Sequence, residues 1–159
     1  MKKNKVEVVR GVGKLTSPTS ISVNGSGESR TIQARNIIVA TGSAPKALPF
    51  APIDEEAILS NSGILALKEV PRRLVIIGGG VIGVEFASAY HSFGAEVTII
   101  EALPRLVTSE DEEISAELQK AFNRRGIKQQ LSAKVSGVEH NEGNVVVSYT
   151  DQALSLIHI

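Results

Sequence analysis

The sequence predicts an α/β fold built around a parallel strand–helix–strand unit, and three observations predict it. The aliphatic run Leu74-Val75-Ile76-Ile77 leads directly into Gly78-Gly79-Gly80. Beyond the glycines the spacing turns helical, with Ile82, Phe86, Ala89, Tyr90 and Phe93 at intervals of three and four. A second aliphatic run, Val97-Thr98-Ile99-Ile100, follows Phe93-Gly94, where a glycine is suited to end a helix.

The glycines carry the chemistry. Gly78-x-Gly80-x-x-Gly83 fits a dinucleotide-binding fingerprint, and each glycine has a physical reason to be there. Gly78 permits the sharp turn, Gly80 lacks the Cβ that would hold a pyrophosphate away, and Gly83 lets the helix lie close to the strand. The free N–H groups and positive dipole end of that helix then face the phosphates. Glu101 ends the second aliphatic run, 23 positions after Gly78. An acid there is placed to accept hydrogen bonds from the adenosine ribose diol, and it repels a 2′-phosphate. The expectation is therefore NAD over NADP, with Arg105 as the cation that keeps NADP open. The plain alternative is a glycine-rich turn beside a solvated glutamate. Strand, glycines, helix, strand and acid in that order favour a Rossmann-type βαβ unit.

Composition sets outer bounds. The 159 residues suffice for one domain of ordinary size or for part of a larger protein. Seventeen basic and seventeen acidic residues cancel, so nothing suggests a nucleic-acid surface or a polybasic membrane patch. No apolar run approaches the length of a membrane span, and Met1-Lys2-Lys3-Asn4-Lys5 leads into no signal-peptide core. Without cysteine, this chain has no disulfide, no thiolate metal site and no redox thiol.

Before the glycines, Val6-Glu7-Val8-Val9 alternates and predicts a strand, broken at Gly11-Val12-Gly13. Ile21-Ser22-Val23 predicts a second strand, Asn24-Gly25-Ser26-Gly27 a hairpin turn, and Thr31-Ile32-Gln33-Ala34 the returning strand. Asn36-Ile37-Ile38-Val39-Ala40 has the pattern of a strand buried on both faces. Thr41-Gly42-Ser43-Ala44-Pro45 ends it, and the prolines up to Pro52 predict an extended connection at a domain boundary. Ser60-Asn61-Ser62 is suited to cap a short helix through Leu67.

After Glu101, Ala102-Leu103-Pro104-Arg105 predicts a loop. Ser109-Glu110-Asp111-Glu112 has the form of a capping box, with Ile114, Leu118, Ala121 and Phe122 as the apolar face of the helix that follows. Arg124-Arg125-Gly126 closes that helix, its arginines solvated and matched to the dipole. Three short strands are expected over Ile127–Leu131, Ala133–Val138 and Val145–Tyr149, with a turn at Asn141-Glu142-Gly143-Asn144 between the last two. Leu154–Ile159 breaks the pattern and is either a strand cut short or a non-native extension.

Other candidate groups have plain readings. His91 sits late in the glycine-led helix as an amphipathic surface residue, His140 precedes a turn, and His158 lies in the tail. None has a nucleophile or paired carboxylate at a motif spacing. Asp54-Glu55-Glu56 lacks a spaced histidine or second acidic motif, so a solvated loop or helix start is expected and no metal site.

Ala40-Thr41-Gly42-Ser43, a proline-bearing connection and then Gly78-Gly79-Gly80-Val81-Ile82-Gly83-Val84-Glu85 together resemble the FAD-dependent pyridine nucleotide-disulfide oxidoreductases. Through Val81–Ser88 and Glu101 the chain is most similar to members that oxidise a dihydrolipoyl dithiol with NAD. Members that reduce mercuric ion or glutathione, and a non-catalytic dinucleotide-binding module, are the alternatives. The resemblance covers Lys5 to Thr150. It implies an FAD-domain portion over 1–48, a connection over 49–73, a Rossmann-type NAD domain over 74–153 and a doubtful tail over 154–159. It places Gly13, Thr41, Gly42 and Ser43 at FAD. Gly78, Gly79, Gly80, Val81, Ile82, Gly83, Val84 and Glu85 fall at the NAD pyrophosphate and nicotinamide, Glu101 at the adenosine ribose and Val135 at the adenine. Glu85 carries a supporting catalytic role near nicotinamide and flavin, paired in the family with a lysine that has no counterpart here. Spacing alone does not separate a solvent-facing Glu85 from one aimed at the nicotinamide, and a Glu in the first turn also favours the helix dipole.

The chain departs from the family pattern by lacking the first FAD glycine motif, the redox cysteine pair, the second FAD acidic motif and the His-Glu acid/base pair. The resemblance therefore implies a central fragment with Met1 at an internal position, able on its own to bind NAD at most. The parent would pass electrons from a lipoyl-bearing protein or small dithiol through a disulfide and FAD to NAD. It would be a homodimer in the cytoplasm, or in the mitochondrial matrix of a eukaryote.

Overall fold

The computed structural model describes residues 2–25, 27, 29–46, 48–141, 144–151 and 156–158. It divides into two compact units, Met1–Ala44 and Pro45–Ile159.

The first unit holds an antiparallel sheet of β1 (Val12–Ser17), β2 (Ser20–Asn24) and β3 (Arg30–Gln33). Val12 pairs with Asn24 and Ile21 with Ile32, so the expected hairpin is present, although Ser26 of its turn lies outside the described residues. Two expected strands are not. Val6–Val9 has no ladder because β2 ends at Asn24, opposite Val12, and Val6 and Val8 stay exposed. Asn36–Ala40 is likewise irregular, with Ile38 91% exposed. An apolar run becomes a strand only where a neighbour takes its backbone hydrogen bonds, and no described strand pairs with this one.

The second unit is organised on a parallel sheet of β4 (Arg73–Ile77), β5 (Glu96–Ile100) and β6 (Lys128–Gln130), in that order. Val75 pairs with Thr98 and Ile77 with Ile100. Side chains alternate along β5, so the sheet is buried on both faces. Val97 and Ile99, both fully buried, join a core with Val84, Ala87, Tyr90, Phe122 and Ile127. Ile100 joins a second core with Ala133, Val135, Val147 and Tyr149. Each fully buried aliphatic side chain contributes roughly 1.5–3 kcal/mol. The helices are α1 (Asn61–Ala66), α2 (Val81–Ser92) and α3 (Glu112–Arg125). An antiparallel sheet of β7 (Lys134–Asn141), β8 (Asn144–Thr150) and β9 (Leu156–His158) completes the unit. Within the doubtful tail, residues 156–158 pair with β8, while 154, 155 and 159 lie outside the described residues, as do 142 and 143 of the β7–β8 turn.

Helix α2 buries part of the face its spacing predicts, with Tyr90 buried and Phe86 packed against the core, and is rotated from the rest. Val84, Ala87 and Tyr90 are buried, whereas Ile82 and Phe93 are 57% and 65% exposed. Close packing decides this. A Cβ on Gly83 would lie 2.1 Å from the Gly78 carbonyl oxygen, so Gly83 must face β4, and the residues on its side of the helix follow it inward. The Tyr90 hydroxyl then donates to the Ile64 carbonyl at 2.6 Å and ties α1 to α2.

The capping residues are partly as expected. Ser60 caps α1, accepting from Ser62 and Gly63 N–H, and Gly126 ends α3 at φ 88°. At the start of α3 the cap is Asp111, which accepts from Glu113 N–H at 2.8 Å, while Ser109 lies outside the helix and donates to Glu110. Ile114 is 61% exposed, and Ser115 takes the inward position beside Leu118 and Phe122. Arg125 is not simply solvated: its guanidinium donates to the Ser88 carbonyl, the Ser88 hydroxyl and the Ser92 hydroxyl, joining α3 to α2. The acids of the connection serve the backbone. Asp54 Oδ1 accepts from Glu56, Ala57 and Ile58 N–H, which holds its carboxyl below the usual range, and Glu55 accepts from Ser60. Among the described residues no acid or histidine cluster is arranged for a metal ion.

Gly83→Ala tests the packing that sets α2. The added methyl meets a backbone carbonyl that cannot move aside, and a loss of about 2–3 kcal/mol is expected in urea unfolding. Wild-type stability in that variant would show that α2 does not rest on β4 in this way.

Candidate functional site

The loop between β4 and α2 is built one glycine at a time. Gly78 sits at φ 110°, a conformation that side chains rarely adopt, and its N–H donates to the Ile100 carbonyl at 2.9 Å. Gly79 is buried. Its N–H donates to Glu101 Oε2 at 2.5 Å, its carbonyl accepts from Val107 N–H at 2.8 Å, and a Cβ on it would strike Leu106. Gly80 is exposed, and a Cβ there would meet no atom within 4 Å. Gly80 is the N-cap of α2 with no side-chain cap, and the first helical bond runs from Val84 N–H to its carbonyl.

Those features test whether the loop fits a dinucleotide phosphate. The N–H groups of Gly80, Val81, Ile82 and Gly83 have no acceptor among the described residues. A helix amino end carries about half a positive charge, and no acid occupies the first turn of α2. Gly78, Gly80 and the first turn of α2 line an open cleft of ≈ 1570 Å³, shared with Ile64, Val75, Ile77 and Val147. Donors, dipole and room are all present, so the residues fit a pyrophosphate.

Glu101 lies at the C-terminal end of β5, against this loop. One carboxylate oxygen accepts from Gly79 N–H, and the other accepts from Leu103 N–H at 2.7 Å. Arg105 is tied to its own loop, donating to the Glu110 carbonyl at 2.8 Å and the Thr108 carbonyl at 3.1 Å. Glu85 is exposed and makes no hydrogen bond or ion pair among the described residues. It stands one turn too deep for the dipole argument made from sequence, because α2 starts at Val81. Val135 is 6% exposed, paired with Tyr149 and packed in the second core. Gly78 to Gly83 and Glu101 are thus brought together, while Val135 lies in a core.

The remaining predicted residues belong to the first unit. Gly13 pairs with Val23 in β1, and Thr41, Gly42 and Ser43 form an exposed irregular stretch with Gly42 at φ 81°. A groove of ≈ 420 Å³ in this unit is lined by Leu15, Thr16, Ser17, Pro18, Ile37 and Val39, and by none of those four. His91 is half-buried with its Nδ1 lacking a hydrogen-bond partner among the described residues, and His140 is exposed on β7. Sequence reasoning missed Leu106 and Val107, which brace the glycine loop. The available signal was an apolar pair inside a polar loop.

The chain matches known proteins over nearly its whole length. The family model for pyridine nucleotide-disulphide oxidoreductase matches residues 1–156. The chain is 42% identical over 149 residues to a mitochondrial dihydrolipoyl dehydrogenase of Dictyostelium discoideum, covering 92% of this chain and 30% of that protein. It is 41% identical over 152 residues to a leghemoglobin reductase of Glycine max, covering 95% of this chain and 29% of that protein. A solved flavoprotein disulfide reductase mutant of Escherichia coli, a copper(II) complex, superposes with a TM-score of 0.75 at 30% identity, over 96% of this chain and 34% of that one. The chain thus spans about 30% of the length of the curated relatives it matches.

Gly80→Val places a branched side chain in the open cradle without touching the core. NADH binding in a fluorescence titration is expected to disappear while the circular dichroism spectrum is kept. Retained binding would remove Gly80 from the pyrophosphate site.

Proposed function

The chain belongs to the pyridine nucleotide-disulphide oxidoreductase family, and from that premise we propose that it supplies the NAD site of a flavoprotein most similar to dihydrolipoyl dehydrogenase. One observation carries the reading: an exposed Gly80, with free N–H groups at an uncapped helix start, opens into a cleft with an acid one strand away. The Gly80–Gly83 N–H groups hold the pyrophosphate, and Glu101 takes the adenosine ribose hydroxyls. Arg105 supports NAD over NADP, because its guanidinium is committed to two backbone carbonyls. The family assigns Glu85 of α2 to the nicotinamide end and Val135, buried here in the second core, to the adenine side.

The rest of the assignment follows the family. Residues 1–48 form part of an FAD domain, with Gly13, Thr41, Gly42 and Ser43 toward FAD, and 74–153 form the NAD domain beyond the connection 49–73. In the whole protein a dithiol, carried by a lipoyl-bearing protein or a small molecule, is oxidised. NAD, when bound, supplies the acceptor for the hydride. The dithiol chemistry needs cysteine thiols, and these 159 residues contain no cysteine. A homodimer is the assembly proposed for the whole protein, in the cytoplasm or the mitochondrial matrix. Among the described residues no helix is long and apolar enough to cross a membrane.

Titrating the purified chain with NADH and NADPH by calorimetry tests this. NADH is expected to bind more tightly, and Glu101→Arg is expected to reverse the preference by at least about tenfold, the scale of a charge reversal near a phosphate. A folded chain that binds neither nucleotide would overturn the reading. An unchanged preference in the variant would remove Glu101 from the ribose.

A further inference from the structure

We propose that Leu106-Val107 is a latch that orients the Gly79–Gly80 peptide so that the Gly80 N–H faces the bound nucleotide; this rests on the NAD-site reading above. Both backbone polar groups of Gly79 are taken by the segment after β5: the N–H by Glu101, the carbonyl by Val107 N–H at 2.8 Å. Among the described residues no peptide bond is cis. In a trans peptide the N–H points opposite to the carbonyl. Pinning the Gly79 carbonyl toward Val107 therefore turns the Gly80 N–H away from the latch. That is the open side, where Gly80 is exposed and no described group accepts its hydrogen.

The latch is itself firmly held. Val107 sits at φ 43°, a left-handed conformation that a β-branched residue adopts only when its surroundings impose it. Leu106 is fully buried, and its carbonyl accepts from the hydroxyl of Ser115, which is also fully buried. The Val107 carbonyl accepts from Glu110 N–H at 2.8 Å. Ser115 does not line the cleft, and its hydroxyl meets the glycine loop's brace at the Leu106 carbonyl. It is a positioning residue. A latch of this kind spares the bound state the cost of freezing a glycine peptide, which otherwise opposes binding.

Amide hydrogen exchange on the labelled full chain, read by NMR with and without NADH, tests the proposal. In the free chain the Val107 and Gly79 amides are expected to be protected and the Gly80 amide to exchange freely, and NADH is expected to protect Gly80. Ser115→Ala is expected to speed Val107 exchange and to weaken NADH binding on the order of fivefold, the scale of one buried hydrogen bond. An unprotected Val107 amide in the free chain overturns the latch. So does a Gly80 amide indifferent to bound NADH, or a Ser115→Ala chain with loosened Val107 and unchanged affinity. If Ser115→Ala does not fold, wild-type exchange decides alone. A folded wild type that does not bind NADH overturns the NAD-site reading, and the latch with it.

Discussion

The contact between Gly83 and the Gly78 carbonyl governs this molecule's second unit. Only a residue without a side chain fits there, since a Cβ would come within 2.1 Å of the oxygen. That contact fixes the rotation of α2, and the rotation sends Val84, Ala87 and Tyr90 into the core with Val97 and Ile99. It also brings the amino end of the helix to the end of β4, where the chain has just turned through Gly78. Site and core therefore share one cause. The geometry that lets the helix pack is the geometry that aims its free N–H groups at the cleft.

Local signals made much of this legible in the sequence. Leu74–Ile77, the three glycines and Val97–Ile100 declare strand, turn and strand by their own periodicity, and Ser60 and Gly126 cap helices through bonds within a few residues. What escaped was non-local. Asn36–Ala40 is as apolar as β5, but hydrophobicity does not say whether a partner strand lies alongside. Ile82 and Val84 are equally suited to a core, and only the glycine contact chooses between them. In α3 a serine, Ser115, lies inward where Ile114 was expected, because its hydroxyl has a carbonyl to meet. The bracing of Gly79 by Val107 joins positions 28 apart through a loop, and no motif records it.

The chain offers in its second unit a cradle for phosphates and an acid beside it, and its 159 residues contain no cysteine with which to exchange electrons with a dithiol. It spans about 30% of the length of its curated relatives. What its own residues present is a set of unpartnered N–H groups at an uncapped helix start.

A crystal structure of the chain with NAD tests the central claim most directly. The account predicts the pyrophosphate within hydrogen-bonding distance of the Gly80 N–H, and the adenosine ribose hydroxyls on the Glu101 carboxylate. A nucleotide ordered elsewhere, or one lying at the loop with its phosphates turned away from Gly80, would contradict it.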